Sequence, residues 1–228
     1  MMIGLMYLAL TLIVYFSVKS LYKIWPKVYL SPLLITPLVI VVCLLWAKVP
    51  YESYNNGGQY LSDMLQPATV AFAIPLYKHF KVLKKHAVEI IASVLFGSVV
   101  AMISSVFLAK WMHLSTSLVT SLVPRSITTP IAINVSQVIG GVPNITAVFV
   151  IITGLLGSMM GPTILKVFHI DNEVARGVLL GTSAHGMGTS KAFELSPLSG
   201  TISSISMILA ALFTLGMAPY FMTMLWMH

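Results

Sequence analysis

Residues Ala87 to Trp111 read A-V-E-I-I-A-S-V-L-F-G-S-V-V-A-M-I-S-S-V-F-L-A-K-W. Charge is confined to the two ends, and everything between is apolar or small. As a helix this run exceeds the ~30 Å of a bilayer's hydrocarbon core. The apolar run is continuous, not alternating, which excludes the strand of a membrane barrel.

The whole chain follows that lead. It is 57% hydrophobic and 8% charged, where a soluble domain carries about 25% charge. The class is therefore an all-α polytopic membrane protein, a single transmembrane domain over residues 1–228. The net charge of +7 comes largely from short lysine clusters between apolar runs. Lys19, Lys23 and Lys27 form one, and Lys78, Lys81, Lys84 and Lys85 the densest. That is the pattern of cytoplasmic loops facing anionic lipid, and nucleic acid is not implied. Cys43 stands alone, so no internal disulfide forms. The first apolar run, Ile3 to Val18, has no basic stretch before it and no small-x-small cleavage site after it. It reads as a retained helix.

Outward from Ala87–Trp111 the neighbours alternate between plain and broken segments. Spans are expected over residues 3–21 and 28–46, the second with Pro32 and Pro37. Tyr51 to Gly58, with Asn55-Asn56-Gly57-Gly58, reads as an exposed loop with a turn. A third segment, 60–80, is interrupted near Pro67 and again at Pro75. A fifth, 114–139, is broken at Val123-Pro124-Arg125-Ser126-Ile127-Thr128-Thr129-Pro130. Gly140 to Asn144 is a turn. Span six, 145–167, spaces Gly154, Gly157 and Gly161 for close helix approach. His169 to Arg176 is a polar hinge. A seventh segment, 174–195, is broken at Gly186–Gly188, and span eight is 202–226. About eight segments result. Counted as crossings, they put both termini outside. Interrupted segments at related positions echo each other and suggest repeat halves 1–112 and 113–228.

Backbone that loosens at membrane depth must line a cavity or be buried in protein. The breaks carry the polar residues. Arg125, with Ser126, Thr128 and Thr129, is the sharpest signal: an Arg at membrane depth costs roughly 2.5–3.5 kcal/mol on insertion scales. A guanidinium binds carboxylate through two prongs, and the N-terminus of the following half-helix adds backbone donors. The alternative is an Arg that snorkels to head groups. Asn134 lies on the same half-helix. In Gly181-Thr182-Ser183-Ala184-His185-Gly186-Met187-Gly188-Thr189-Ser190-Lys191-Ala192-Phe193-Glu194, Ser183, His185, Thr189 and Lys191 supply hydroxyls, an imidazole and a cation. Gly186 and Gly188 would let backbone approach closely. The alternative there is an ordinary Lys191–Glu194 helix pair. Gln66 and Thr69 flank Pro67 and either contact a substrate or satisfy freed backbone. Glu89 beside Lys84-Lys85-His86 reads as an interfacial ion pair. No catalytic triad, metal-ligand set or cofactor motif is present, so enzyme chemistry is not expected.

These motifs resemble the LrgB/CidB family of bacterial membrane proteins. The residues that carry the resemblance are Tyr54–Gly58, Gln66–Lys78, Leu122–Pro130 and Gly181–Glu194, and the likeness covers nearly the whole chain. Arg125–Thr128 and Ser183–Ala192 are similar to the CidB side. Gln66 departs from the small residue usual before Pro-Ala-Thr. The resemblance implies a multi-pass protein of the bacterial cell membrane, often paired with a small hydrophobic partner of the CidA/LrgA type. It implies either holin-like control of murein hydrolase release and autolysis, or transport of small carboxylates such as pyruvate. A holin-type pore needs a wide oligomeric lumen. A carboxylate carrier needs an Arg at a helix break. The residues therefore favour a small-monocarboxylate transporter or facilitator, with a homo-oligomer, a dimer in the simplest case. Gln66–Thr69, Arg125–Thr129 and Ser183–Lys191 are expected to meet at membrane depth.

Overall fold

The computed structural model describes residues 2–25, 30–64, 67, 70–71 and 73–226. Gln66 and Thr69 lie outside the described residues, as do Lys27 and Val28, the expected start of the second span. Among the described residues every regular element is helical, which bears out the all-α membrane class. Four helices among the described residues are long and apolar enough to cross a bilayer: Gly4–Ile24, Ala87–Trp111, Pro143–Val167 and Pro197–Met224. The chain forms two compact units that meet in sequence at Ala73 and Ile74.

The first unit holds α1 (Met2–Ile24), α2 (Pro32–Trp46) and α3 (Tyr51–Asp63). Pro32 opens α2, where its missing N–H is not needed. The exposed loop expected at Tyr51–Gly58 is instead the body of α3. Packing overrides the turn signal of Asn-Asn-Gly-Gly. A Cβ on Gly57 would collide with the Gly4 carbonyl of α1, so glycine is what allows the two backbones to touch. The Tyr7 and Tyr54 rings meet edge to face at 6.1 Å, and the Tyr54 hydroxyl lies 3.1 Å from Thr11 Oγ1.

The second unit begins at Ile74 within α4 (Ala73–Lys78) and continues with α5 (Phe80–Lys85), α6 (Ala87–Trp111), α7 (Thr116–Leu122), α8 (Thr129–Val138), α9 (Pro143–Val167), α10 (Glu173–Leu195) and α11 (Pro197–Trp226). Two of its segments return to the side from which they came. Ser121, at the end of α7, accepts from Val142 N at 2.8 Å through its hydroxyl, and its carbonyl accepts from Thr146 Oγ1 at 3.0 Å. Thr146 Oγ1 also lies 2.7 Å from Ser136 Oγ near the end of α8. A fully crossing segment would carry Ser121 far from Val142. The chain from α7 to α8 is therefore a hairpin, with residues 123–128 at its deep end. That irregular stretch is buried: Val123 and Ile127 are 1% exposed and join a core with Val94, Val119, Val150 and Ile202.

α10 is the second hairpin. His185 has φ 40° and ψ −124°, which splits the element into two limbs. The first limb runs parallel to α11. Ser199 Oγ donates to the Glu173 carbonyl at 3.0 Å, and Gly177 lies against Ile202. The second limb runs antiparallel to α11, with Thr189 Oγ1 2.9 Å from Ser203 Oγ and Gly200 under the Phe193 ring. Gly188 sits against the Leu180 carbonyl, closing the two limbs on each other. The fifth and seventh segments are thus not crossings, and the count of eight crossings falls accordingly. The breaks were expected; their consequence is a fold-back, because Gly188 and the hydroxyls on α11 and α9 allow tight packing of short limbs.

Span six behaves as its glycines require. Cβ atoms on Gly154, Gly157 and Gly161 would meet His185 Cε1 at 2.7 Å, Ala184 Cβ at 2.6 Å and Leu180 Cδ2 at 2.5 Å. The expected turn also forms: Gly140 has φ 81°, and Gly141 N donates to the Ser136 carbonyl at 2.8 Å. Asn172 caps α10 by accepting from Val174 N and Ala175 N. The Asp171–Arg176 ion pair, 2.8 Å, fills the polar hinge.

Candidate functional site

Arg125 occupies the deep end of the first hairpin, three residues before Thr128, which precedes the first residue of α8. It is half-buried. Its Nε donates to Ser105 Oγ on α6 at 2.8 Å, and Ser105 Oγ in turn donates to the Ala101 carbonyl at 2.5 Å. The ion pairs among the described residues are His86–Glu89, Arg176–Asp171 and Lys191–Glu194. No carboxylate of the described residues therefore neutralises Arg125. Ser105 lies six residues before α6 ends at Trp111. The contact thus sits ~9 Å below that end at about 1.5 Å per residue. Snorkelling to the head groups does not describe a guanidinium held sideways by a buried serine.

His185 forms the tip of the second hairpin and is 5% exposed. A non-glycine residue at positive φ with this ψ is strained, and such strain persists only where the surroundings over-determine it. What holds it is visible: the Nε2–H donates to the Val150 carbonyl of α9 at 3.0 Å. In the neutral ring that leaves Nδ1 as the acceptor. Val150 lies seven residues inside Pro143, the start of α9, or ~10 Å at the helical rise. The first hairpin connects the end of α6 to the start of α9, so both anchor points lie at a similar depth from the same side. The hairpins enter from opposite sides and approach one level.

The rest of the expected site divides. Ser126 is buried, and Thr128 and Thr129 are half-buried around the start of α8. Gly186 faces open space, whereas Gly188 packs inside the hairpin. Ser183 Oγ donates to the Leu179 carbonyl at 2.6 Å, and Thr189 is buried against Ser203. Lys191 lies on the return limb with Nζ 2.6 Å from Glu194 Oε2, the helix pair expected as the alternative. Asn134 is exposed on α8. Glu89 bonds His86 Nδ1 at 2.7 Å, within its interfacial cluster. Among the described residues no hydrogen bond joins Arg125 to His185. No group of three or more His, Cys, Asp or Glu among them is placed to hold a metal.

The model of the LrgB-like family matches residues 11–224. The chain belongs to the LrgB family. Among similar proteins, the uncharacterised protein YwbG of Bacillus subtilis is 65% identical over 98% of this chain and 99% of its own. The uncharacterised protein YxaC of the same organism is 41% identical, covering 92% of this chain and 91% of its own. The Holin-like protein CidB of Staphylococcus epidermidis is 37% identical, over 92% of each chain. No solved structure matches. Family and spans together make this LrgB-family chain a multi-pass bacterial membrane protein. In it, Arg125 and the Gly181–Glu194 run occupy the ends of two re-entrant elements. Ser105 is the residue that sequence reasoning missed. Its only signal was a pair, Ser104-Ser105, inside an otherwise plain span.

Proposed function

We propose that this LrgB-family protein carries small monocarboxylates, of the size of pyruvate, across the membrane. The observation that carries the reading is Arg125. Its guanidinium is fixed by Ser105 through Nε, is not paired with a carboxylate of the described residues, and stands beside the N-terminus of a half-helix. An anion would find there two Nη prongs with no partner among the described residues, and the backbone donors of α8. Helix breaks that aim half-helix ends at a mid-membrane site are the usual furniture of secondary transporters. Thr128, Thr129 and Ser126 orient the anion. His185, bonded at Nε2, offers Nδ1 as a proton relay. Lys191, on the return limb of the second hairpin beside Glu194, serves as a second cation. A homodimer and a small CidA/LrgA-type partner belong to this reading as well.

Purified protein in proteoliposomes should take up labelled pyruvate. Arg125→Ala should lower that uptake at least tenfold, the loss of about 1.4 kcal/mol or more of anion binding. No pyruvate movement by the unaltered protein, or full uptake by Arg125→Ala, overturns the carrier. The second reading is a holin-like component, favoured by the name of the staphylococcal relatives. Release of large dyes or proteins from the same vesicles would support it.

A further inference from the structure

The densest lysine cluster flanks a groove that has no part in the proposed anion site. The groove encloses about 390 Å³, within the ~300–1,000 Å³ range of ligand clefts. Leu83 of α5, Ile90 and Ile91 of α6, and Ile205 and Leu209 of α11 line it. Lys84 is the one charged residue on its wall, and it is exposed. Around it, Lys78, Lys81 and Lys85 are exposed too. None of these four ammonium groups has an ion-pair partner among the described residues, and the carboxylate of Glu89 on the following helix bonds His86. α5 and the start of α6 therefore present an apolar trough with a crown of unneutralised positive charge at one end.

The geometry points to a binding site for one anionic phospholipid. An acyl chain would lie along Leu83, Ile90, Ile205 and Leu209, and the phosphate would sit against Lys84 with Lys81 and Lys85 around it. The charge decides the occupant. A trough lined only with aliphatic side chains would suit a neutral lipid or another helix equally, but clustered lysines draw anionic head groups, at about 1 kcal/mol each near such a surface. Their stems cover apolar wall while their heads reach the phosphate plane. Ile205 and Leu209 lie on α11, whose Ser203 and Met207 face Thr189 of the second hairpin. An occupied groove would thus brace the helix on which that hairpin packs.

The test uses the full chain in detergent, titrated with phosphatidylglycerol or phosphatidylcholine. Bound lipid is read by native mass spectrometry and by the shift in Tm. Phosphatidylglycerol should be retained and should raise Tm, and phosphatidylcholine should do neither. The surface variant K81Q/K84Q/K85Q, which leaves the core untouched, should bind phosphatidylglycerol roughly tenfold or more weakly. Leu209→Trp, which fills the trough, should abolish its effect on Tm. The proposal is overturned if the two lipids act alike or if the lysine variant retains phosphatidylglycerol at full affinity. It is also overturned if Leu209→Trp changes the subunit number instead, which would make the groove a contact between copies of this chain.

Discussion

Arg125 and Ser105 form the smallest unit that bears on function. A guanidinium offers carboxylate either its Nη pair or an Nε–Nη edge. The bond from Nε to Ser105 Oγ commits that edge to the protein and leaves the Nη pair for the proposed anion. Ser105 is thus a positioning residue for the proposed anion contact. Ser105→Ala should raise the apparent KM for carboxylate uptake about tenfold with little change in kcat, as expected when a hydrogen bond to a charged group is lost. Ser105→Thr should restore it. A merely structural serine would lower Tm and leave KM in place, and that result sinks the assignment. Arg125 was legible from sequence because a charge inside an apolar run demands a reason. Ser105 was not, since serines in membrane helices commonly serve packing, and nothing local links it to a residue twenty positions on. His185 was legible as an ionisable group beside glycines. Its strained backbone, bond to Val150 and place at a hairpin tip all depend on α9, which the local sequence does not contain.

At the level of elements, small residues decide which helices touch. Gly154, Gly157 and Gly161 on α9 meet the first limb of α10 so closely that no Cβ fits. Gly157→Val should destabilise the protein by about 1–3 kcal/mol, the usual cost of overpacking. Thermal unfolding in detergent reads it as a lower Tm, because the Ala184 backbone cannot yield as a flexible side chain would. An unchanged Tm would mean that the α9–α10 contact is looser than described. This stripe could be read from its spacing, since Gly-x-x-Gly has few other uses in a span. α3 could not. Its Asn-Asn-Gly-Gly was read as a turn, but Gly57 serves contact with Gly4, and turn propensity yields to helix packing when two backbones must meet. Three helix ends show the same override. α2, α6 and α9 finish in left-handed residues that are not glycine: Lys48, His113 and His169. At each, paired backbone bonds to the last turn compensate, as in Val49 N to Leu44 O at 3.0 Å.

For the whole molecule, the question is which segments cross. Composition and periodicity reveal that residues 114–139 and 174–195 lie in apolar surroundings and are broken. They do not reveal whether the chain continues or returns past a break, because both outcomes use the same residue types. Length argues for return. α7 has 7 residues and α8 has 10, and neither approaches the ~20 a crossing needs. Contacts argue for it independently, since Ser121 meets Val142 and Glu173 meets Ser199. The side of each loop follows. If both hairpins return, the ends of the first share one face of the membrane, the ends of the second share the other, and α9 alone separates the pairs. Single cysteines in a Cys43→Ser background can decide this with an impermeant thiol reagent applied to intact cells. Ser115→Cys and Asn144→Cys should label from the same side. Phe168→Cys and Leu195→Cys should label together from the opposite side. If Ser115→Cys and Asn144→Cys label from opposite sides, the segment carrying Arg125 is a broken crossing and the hairpin assignment fails.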